Sequence, residues 1–399
     1  MAKVKLPIQP TINMGLVGHL DHGKTSLTKL LSGRWTDTHS EEKIRGITIK
    51  LGYTNFIIYS DGKNYSLKGG ANLNEVRNVS IVDAPGHESF MATMISGAAV
   101  MDCAVLVIAG NEKCPQPQTI EHLKTLEIAG IKQIIVVQNK IDLVTREEAL
   151  ENYKQIKTFL KGTVAENSPI IPVSAQYGAN LSELLRAVVE HFKEPKRDLN
   201  AKPLMQIIRS FDINKPGDSF EGLKGGVLGG AIMKGSFKVG DDIEIKPGIQ
   251  VIKEGKTSYK PIQAKIKGLM SDRDKLDSAI PGGSIAVLTG LDPTITKTDS
   301  LVGQMVGLLG QLPEASTQLI FVTHLFEKVI RCIDELVVKD FLPYERFMLI
   351  VNSLTTVGVV LKTNPKETTV SLKRSVMAFP GDRVVIFKRF DNNKWRIVG

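Results

Sequence analysis

The chain has 399 residues, 42% hydrophobic and 23% charged, too long for one ordinary core, so two or three domains are expected. No apolar run reaches the roughly 18 residues of a membrane span, no apolar leader opens the chain, and Cys103, Cys114 and Cys332 form no CxxC pair; a membrane protein, a disulfide scaffold and a cysteine zinc site are disfavoured, and a cytoplasmic setting is expected. The formal charge of +9 is uneven, +2 over residues 1–200 and +7 over 201–399, which suits a polyanionic partner held mostly by the second half.

From the N-terminus, β-branched apolar runs at Ile12–Val17, Asn55–Tyr59, Val79–Val82, Ala104–Ile108, Ile134–Val137 and Ile170–Val173 predict strands. Helical spacing at Lys24–Leu31, Thr119–Ala129, Arg146–Leu160 and Leu181–Phe192 falls between or after them. Strands separated by helices predict a mostly parallel, doubly wound sheet covered on both faces. The second and third runs have no helix between them, so a hairpin and one antiparallel edge are expected there. Glu194–Pro203 (EPKRDLNAKP) is a polar stretch with prolines at both ends and reads as a linker. Beyond it, short runs punctuated by Gly and Pro predict all-β structure, with a further break near Leu308–Ser316. The expected architecture is an α/β domain with a mixed, mostly parallel, doubly wound sheet over 1–200, then two all-β barrels over 201–310 and 311–399.

GHLDHGKT (Gly18–Thr25) fits G-x-x-x-x-G-K-[ST] between a predicted strand and a predicted helix. Backbone N–H groups of such a loop, with the positive end of the helix, cradle phosphate oxygens. Asp21, His22, Gly23, Lys24, Thr25 and Ser26 are the expected phosphate contacts: Lys24 reaches the β- and γ-phosphates, and the Thr25 hydroxyl is a Mg²⁺ ligand. DAPG (Asp83–Gly86) follows a strand, so Asp83 suits Mg²⁺ through a water, and the Gly86 N–H suits the γ-phosphate. NKID (Asn139–Asp142) also ends a strand. Asp142 can accept two hydrogen bonds from guanine that adenine cannot give, the Lys140 stem can lie across the ring, and Asn139 can tie this loop to the phosphate loop. Ser174–Ala175 follows the next strand, with the Ala175 N–H a candidate for the guanine O6. Four such loops, in order and at strand ends where open α/β sheets bind ligands, predict a guanine nucleotide. In RGITI, Thr48 is the candidate for a second hydroxyl on Mg²⁺, ordered when GTP is bound. His87, next to Gly86, is the candidate to orient the attacking water. The expected activity is GTP hydrolysis to GDP and phosphate.

GHLDHGKT, RGITI, DAPGH, NKID and SA resemble the set in translational GTPases such as elongation factor Tu. The resemblance implies that His87 positions the hydrolytic water and that Asp21 helps hold a monovalent cation near the phosphates. WTDTHSEE, NEKCPQPQTIEHL, GTVAENSPIIPVSA, RSFDINKPG, GGVLGG and the closing PGDRVVIFKRF look more narrowly like the gamma subunit of archaeal and eukaryotic translation initiation factor 2, over almost the whole chain. That resemblance implies GTP-dependent binding of initiator methionyl-tRNA and its delivery to the small ribosomal subunit. It also implies a heterotrimer with alpha and beta subunits, with no membrane partner.

Archaeal members of that family commonly carry a four-cysteine zinc knuckle between RGITI and DAPGH. Here the segment has no cysteine, so no zinc and a plain hairpin loop are expected. The resemblance also places the tRNA acceptor end in a crevice between the first two domains. It makes Tyr53 a candidate to stack a terminal base, an alternative being a strand-packing tyrosine. Arg209 and Lys224 are candidate tRNA contacts from pattern. The GGVLGG glycines suit either a close tRNA approach or barrel turns. Two other functions stay open: another tRNA-carrying GTPase, such as a selenocysteine-specific elongation factor, and a GTP-binding scaffold with little turnover.

Overall fold

The computed structural model describes residues 6–36, 48–214, 224–254, 256–326, 338, 340–364, 367–390 and 394–399. Arg45–Ile47 of RGITI, most of WTDTHSEE, the end of RSFDINKPG and Cys332 lie outside the described residues. The chain forms two compact units: residues 1–196 with 282–284, and residues 197–281 with 285–399.

The first unit is built on a seven-stranded sheet. Its strands are β1 (Ile12–Val17), β2 (Gly52–Ser60), β3 (Tyr65–Ser66), β4 (Asn74–Asp83), β5 (Cys103–Ala109), β6 (Ile134–Asn139) and β7 (Ile170–Pro172), in the order β3-β2-β4-β1-β5-β6-β7. The run β4-β1-β5-β6-β7 is parallel, while β2 pairs antiparallel with both β3 and β4. The expected antiparallel edge is therefore present, and β3 extends it by one short strand. Residues 61–64 turn on Asp61, whose carboxylate accepts the Lys63 and Asn64 backbone N–H groups. Those bonds, the Asn64 one foremost, hold its pKa at about 2.

β1, β5 and β6 are buried along their whole length, as central parallel strands covered on two faces must be. Helix α1 (Lys24–Ser32) buries Lys24, Leu27, Thr28 and Leu31, the i, i+3, i+4, i+7 stripe of an amphipathic helix. Helix α2 (Met91–Ala98) has no counterpart in the expected elements; MATMISGA is short, carries Gly97 and lacks a polar face. Helices α3 (Pro117–Ala129), α4 (Arg146–Leu160) and α5 (Leu181–His191) lie where helical spacing predicts them. α4 begins in a capping box, with Thr145 and Glu148 bonded reciprocally. One core joins Ile12, Met14 and Leu16 to Leu27 and Leu31 of α1 and to Leu184, Leu185 and Val188 of α5. Burial raises the Cys114 thiol pKa to about 12 and that of Cys103 well above its ordinary value, so both stay protonated and unreactive.

In the second unit, β8 (Leu204–Phe211), β9 (Val227–Lys234), β11 (Asp242–Lys253), β12 (Lys256–Ser271), β13 (Asp274–Leu276), β15 (Ile285–Thr289) and β16 (Met305–Leu308) form one sheet. Because β12 pairs with both β15 and β11, the sheet closes on itself as a barrel. The short strands β10 (Phe237–Lys238) and β14 (Ser278–Ala279) pair beside it. A second sheet follows, β17 (Ser316–Phe321), β20 (Thr368–Val376), β19 (Leu354–Thr363), β18 (Arg346–Val351), β21 (Val384–Phe390) and β22 (Lys394–Ile397), in that spatial order. The Phe326 N–H donates to the Val398 carbonyl at 2.8 Å, drawing its two edges together. Each sheet encloses its own apolar core. Gly229 and Gly230 of GGVLGG lie within β9 and not in a turn, and a Cβ on Gly230 would sit 1.9 Å from the Gln206 carbonyl of β8.

Candidate functional site

Sheet order fixes where the site lies. β1 has β4 on one side and β5 on the other, so the direction of winding reverses there, and a crevice opens at the strands' carboxyl ends. The loops after β1, β4, β5, β6 and β7 all leave from this edge, as the registers Leu16↔Asp83, Ala109↔Asn139 and Gln138↔Pro172 require.

The loop after β1 is shaped by two positions. Gly18 has φ 140°, and a Cβ there would lie 2.3 Å from the Val107 carbonyl; Gly23 has φ 91°, and a Cβ would lie 2.3 Å from Asn139 Nδ2. Gly23 caps α1 in the left-handed region with no side-chain hydrogen bond, which leaves the first backbone N–H groups of the helix turned to the loop. Inside the loop, Lys24 Nζ donates to the carbonyls of Gly18 at 3.0 Å and His19 at 2.7 Å. The ammonium is thus held at the centre of the ring of backbone.

The other motifs converge on it. A Cβ on Gly86 would meet Lys24 Nζ at 2.4 Å and the Leu20 amide nitrogen at 2.9 Å, so DAPG lies directly against the phosphate loop. The hydroxyls of Thr25 and Thr48 are 3.0 Å apart. Asp83 is fully buried, and its Oδ2 accepts from the Thr36 hydroxyl at 2.6 Å. Two hydroxyls and a carboxylate are an all-oxygen donor set of the kind a hard divalent cation takes. Asn139 Nδ2 donates to the His22 carbonyl at 2.9 Å, and its Oδ1 accepts the Ala175 N–H at 2.9 Å. The Ala175 N–H, expected to face a base oxygen, is therefore engaged with Asn139 here. Ser174 is buried, and its hydroxyl accepts from the Tyr177 N–H. Lys140 stands at φ 63°, and Asp142 is exposed at the mouth of the loop. Ser26 follows Thr25 in the first turn of α1, and Asp21 takes a left-handed conformation at φ 60°.

His87 is half-buried and caps the short turn Glu88–Phe90, its Nδ1 accepting the Ser89 N–H at 3.2 Å. His22 has a different setting. Its ring is fully buried, with Nδ1 3.1 Å from the Val107 carbonyl and Nε2 3.4 Å from Glu112 Oε2. Burial, before any neighbouring charge, lowers its pKa to about 4, so the ring is neutral near pH 7.

Three residues at this edge escape the motif reading. His122 of α3 accepts the Gly18 N–H on Nδ1 at 2.8 Å; Thr36 bonds Asp83; Glu112, after β5, contacts His22. Thr36 stands in WTDTHSEE and both Glu112 and His122 in NEKCPQPQTIEHL, so the resemblance marks their segments but not their partners. Glu112 reaches the site only because β5 lies between β1 and β6.

The candidate tRNA contacts belong to both units, Tyr53 to the first and Arg209 and Lys224 to the second. Tyr53 is a half-buried residue of β2 opposite Val82. Arg209 donates from Nε to Asp299 at 3.0 Å. Lys224 is exposed, its backbone bonded to the Asn214 side chain.

Two families match the chain: "Elongation factor Tu GTP binding domain" over residues 9–194, and "Initiation factor eIF2 gamma, C terminal" over residues 317–399. Translation initiation factor 2 subunit gamma of Methanocaldococcus jannaschii is 50% identical over 406 residues, covering 100% of this chain and 98% of the relative. The chain belongs to the gamma-subunit family of translation initiation factor 2. The same protein from Methanococcus maripaludis is 50% identical, with 98% of each chain covered, and that from Thermoplasma acidophilum is 49% identical. Among solved structures, a bacterial selenocysteine-specific elongation factor superposes with a TM-score of 0.74 at 25% identity, covering 97% of this chain but 57% of that protein. Elongation factor SelB from Methanococcus maripaludis, in complex with a GTP analogue, gives a TM-score of 0.70 at 24% identity, covering 99% of this chain and 79% of that one, which shows a shared fold. The chain is a translational GTPase that binds guanine nucleotides. Among the described residues, no helix is long and apolar enough to cross a membrane.

Proposed function

We propose that this chain is a GTP-switched carrier of initiator methionyl-tRNA. It would work in the cytoplasm as the core of a heterotrimer with alpha and beta subunits and deliver the tRNA to the small ribosomal subunit. The division into 1–200, 201–310 and 311–399 belongs to the same reading. The observation that supports it most is the 3.0 Å contact between the Thr25 and Thr48 hydroxyls beside Lys24 and Gly86. It ties a residue of a polar connecting segment to the phosphate loop, which is what a sensor of the third phosphate requires.

In this reading Lys24 and the amides at the start of α1 bind the β- and γ-phosphates, and Gly86 offers its N–H to the last of them. Thr25 and Thr48 would hold Mg²⁺ directly, and Asp83 through a water. The ion would supply positive charge against the phosphates. Asp142 reads the guanine edge, Lys140 covers the ring, and Asn139 joins the base loop to His22. His87 orients the attacking water, so His87→Ala should retain nucleotide binding and lose roughly 100-fold or more in phosphate release; unchanged release would remove His87 from the chemistry. Loss of the γ-phosphate contacts frees the Thr48 segment, and tRNA affinity falls. Tyr53 and Lys224 are the candidate tRNA contacts, and Arg209 would first have to leave Asp299.

Filter binding of initiator and elongator methionyl-tRNAs, each with GTP and with GDP, tests the reading. Selective retention of the initiator species with GTP is expected. Equal retention of both tRNAs, or indifference to the nucleotide, would overturn it.

A further inference from the structure

The loop that follows β5 carries a carboxylate with no place in the four nucleotide motifs. Its backbone is fixed from two sides. The Gly110 N–H donates to the Asn139 carbonyl at 2.7 Å, and Asn152 Nδ2, from α4, donates to the Glu112 carbonyl at 2.7 Å. Asn152 is itself buried and accepts from Gln138 Nε2 at 2.9 Å. Glu112 thus projects from an anchored stem rather than a loose loop tip.

Its two carboxylate oxygens face different motifs. Oε2 is 3.4 Å from Nε2 of His22, in the phosphate loop; Oε1 is 4.0 Å from Nζ of Lys140, in the base loop. The His22 contact is not an ion pair near neutral pH, because burial keeps that ring neutral. The Lys140 contact is charge against charge, with each side chain about one-third exposed or less.

We propose that Glu112 is a positioning residue for guanine-nucleotide binding. It holds the Lys140 ammonium beyond the edge of the base, so that the lysine stem is already laid across the ring plane before nucleotide arrives. Preorganisation of this kind lowers the ordering cost that a long, rotamer-rich side chain adds to binding. The inference rests on the reading of Asn139–Asp142 as the base loop. Because the polar contacts described for Glu112 go to His22, Lys140 and Asn152 and not to the Thr48 or Gly86 segments, its effect falls equally on GDP and GTP.

The test uses the full chain and measures dissociation constants for GDP and for a non-hydrolysable GTP analogue with Mg²⁺. A partly exposed ion pair contributes up to about 1 kcal/mol, so Glu112→Ala should weaken both nucleotides about two- to five-fold, with the GTP:GDP ratio unchanged. Glu112→Asp should recover part of the loss. In a Lys140→Met background, Glu112→Ala should cost little more, because the lysine through which it acts is gone. Additive losses, a changed GTP:GDP ratio, or wild-type affinity in Glu112→Ala would each overturn the proposal. Asp142→Asn separates its failure from that of the base-loop reading. An amide matches the extra carbonyl of xanthine, so this variant should lose guanine nucleotides and gain xanthine nucleotides. If it does so while Glu112→Ala is silent, only the role of Glu112 falls; if Asp142→Asn leaves guanine binding intact, the base loop itself is misassigned.

Discussion

The two units of this chain use glycine for unlike ends. In the first, Gly18 and Gly23 take left-handed backbone and clear space beside Val107 and Asn139, so the loop can close around Lys24. In the second, Gly230 lies in an ordinary strand and is small because β8 passes within 1.9 Å of where its Cβ would be. One use builds a binding surface from backbone; the other lets two strands pack. A sequence motif such as GGVLGG reads alike in both cases, and only the neighbours decide.

The sharpest way to break that contrast is to add one methyl group to each kind of site. Gly18→Ala forces a Cβ against the Val107 carbonyl and should destabilise the first unit by about 3 kcal/mol or more while removing nucleotide binding. Gly230→Ala should cost a similar amount in the second unit and leave the nucleotide affinity of folded protein unchanged. Denaturant melts with nucleotide titrations read both; a Gly230→Ala protein that folds but loses GDP would erase the distinction.

A second difference is electrostatic. The first unit buries a titratable ring at its site, since the His22 pKa lies at about 4 against an ordinary 6.5. As pH falls, the unfolded chain takes up this proton before the folded one does. The contribution is complete above about pH 6.5 and is lost progressively down to about pH 4, a change of about 3 kcal/mol. Unfolding midpoints across that window should fall more steeply for wild type than for His22→Gln; parallel profiles would contradict the burial argument.

The smallest effect belongs to the second unit. Arg209 and Asp299 form a partly exposed pair, and Asp299 also accepts the Ser210 N–H at 3.0 Å. Arg209→Ala should lower stability by about 1 kcal/mol. If it weakens tRNA retention with no change in the melting midpoint, the arginine serves the ligand and not the barrel.

The same contrast explains what the amino-acid sequence disclosed. Runs such as Ile134–Val137 and the capped helix Arg146–Leu160 combine strong periodicity with clear ends, so sheet and helices were legible. α2 was not, because eight small and apolar residues with an internal glycine give no polar face to detect. The motif residues were legible because each acts within a few residues of a strand end. The bonds joining the loops were less so: a tie from Asn139 to the phosphate loop followed from chemistry, though not its His22 partner, whereas Gly18 to His122, Asp83 to Thr36 and Glu112 to Lys140 depend on which strands are neighbours. In the second unit, Arg209 and Lys224 are basic residues that only their place in the pattern marks as candidate contacts. Charge does not report that Arg209 already has a carboxylate partner.

The central claim is that Thr48 joins the phosphate loop as the reporter of the third phosphate. Calorimetric titration of wild type and Thr48→Ala with GDP and with a non-hydrolysable GTP analogue, both with Mg²⁺, tests it most directly. The account predicts that the variant loses affinity for the triphosphate about ten-fold or more and keeps its affinity for GDP. Equal losses for the two nucleotides, or none for either, would contradict it.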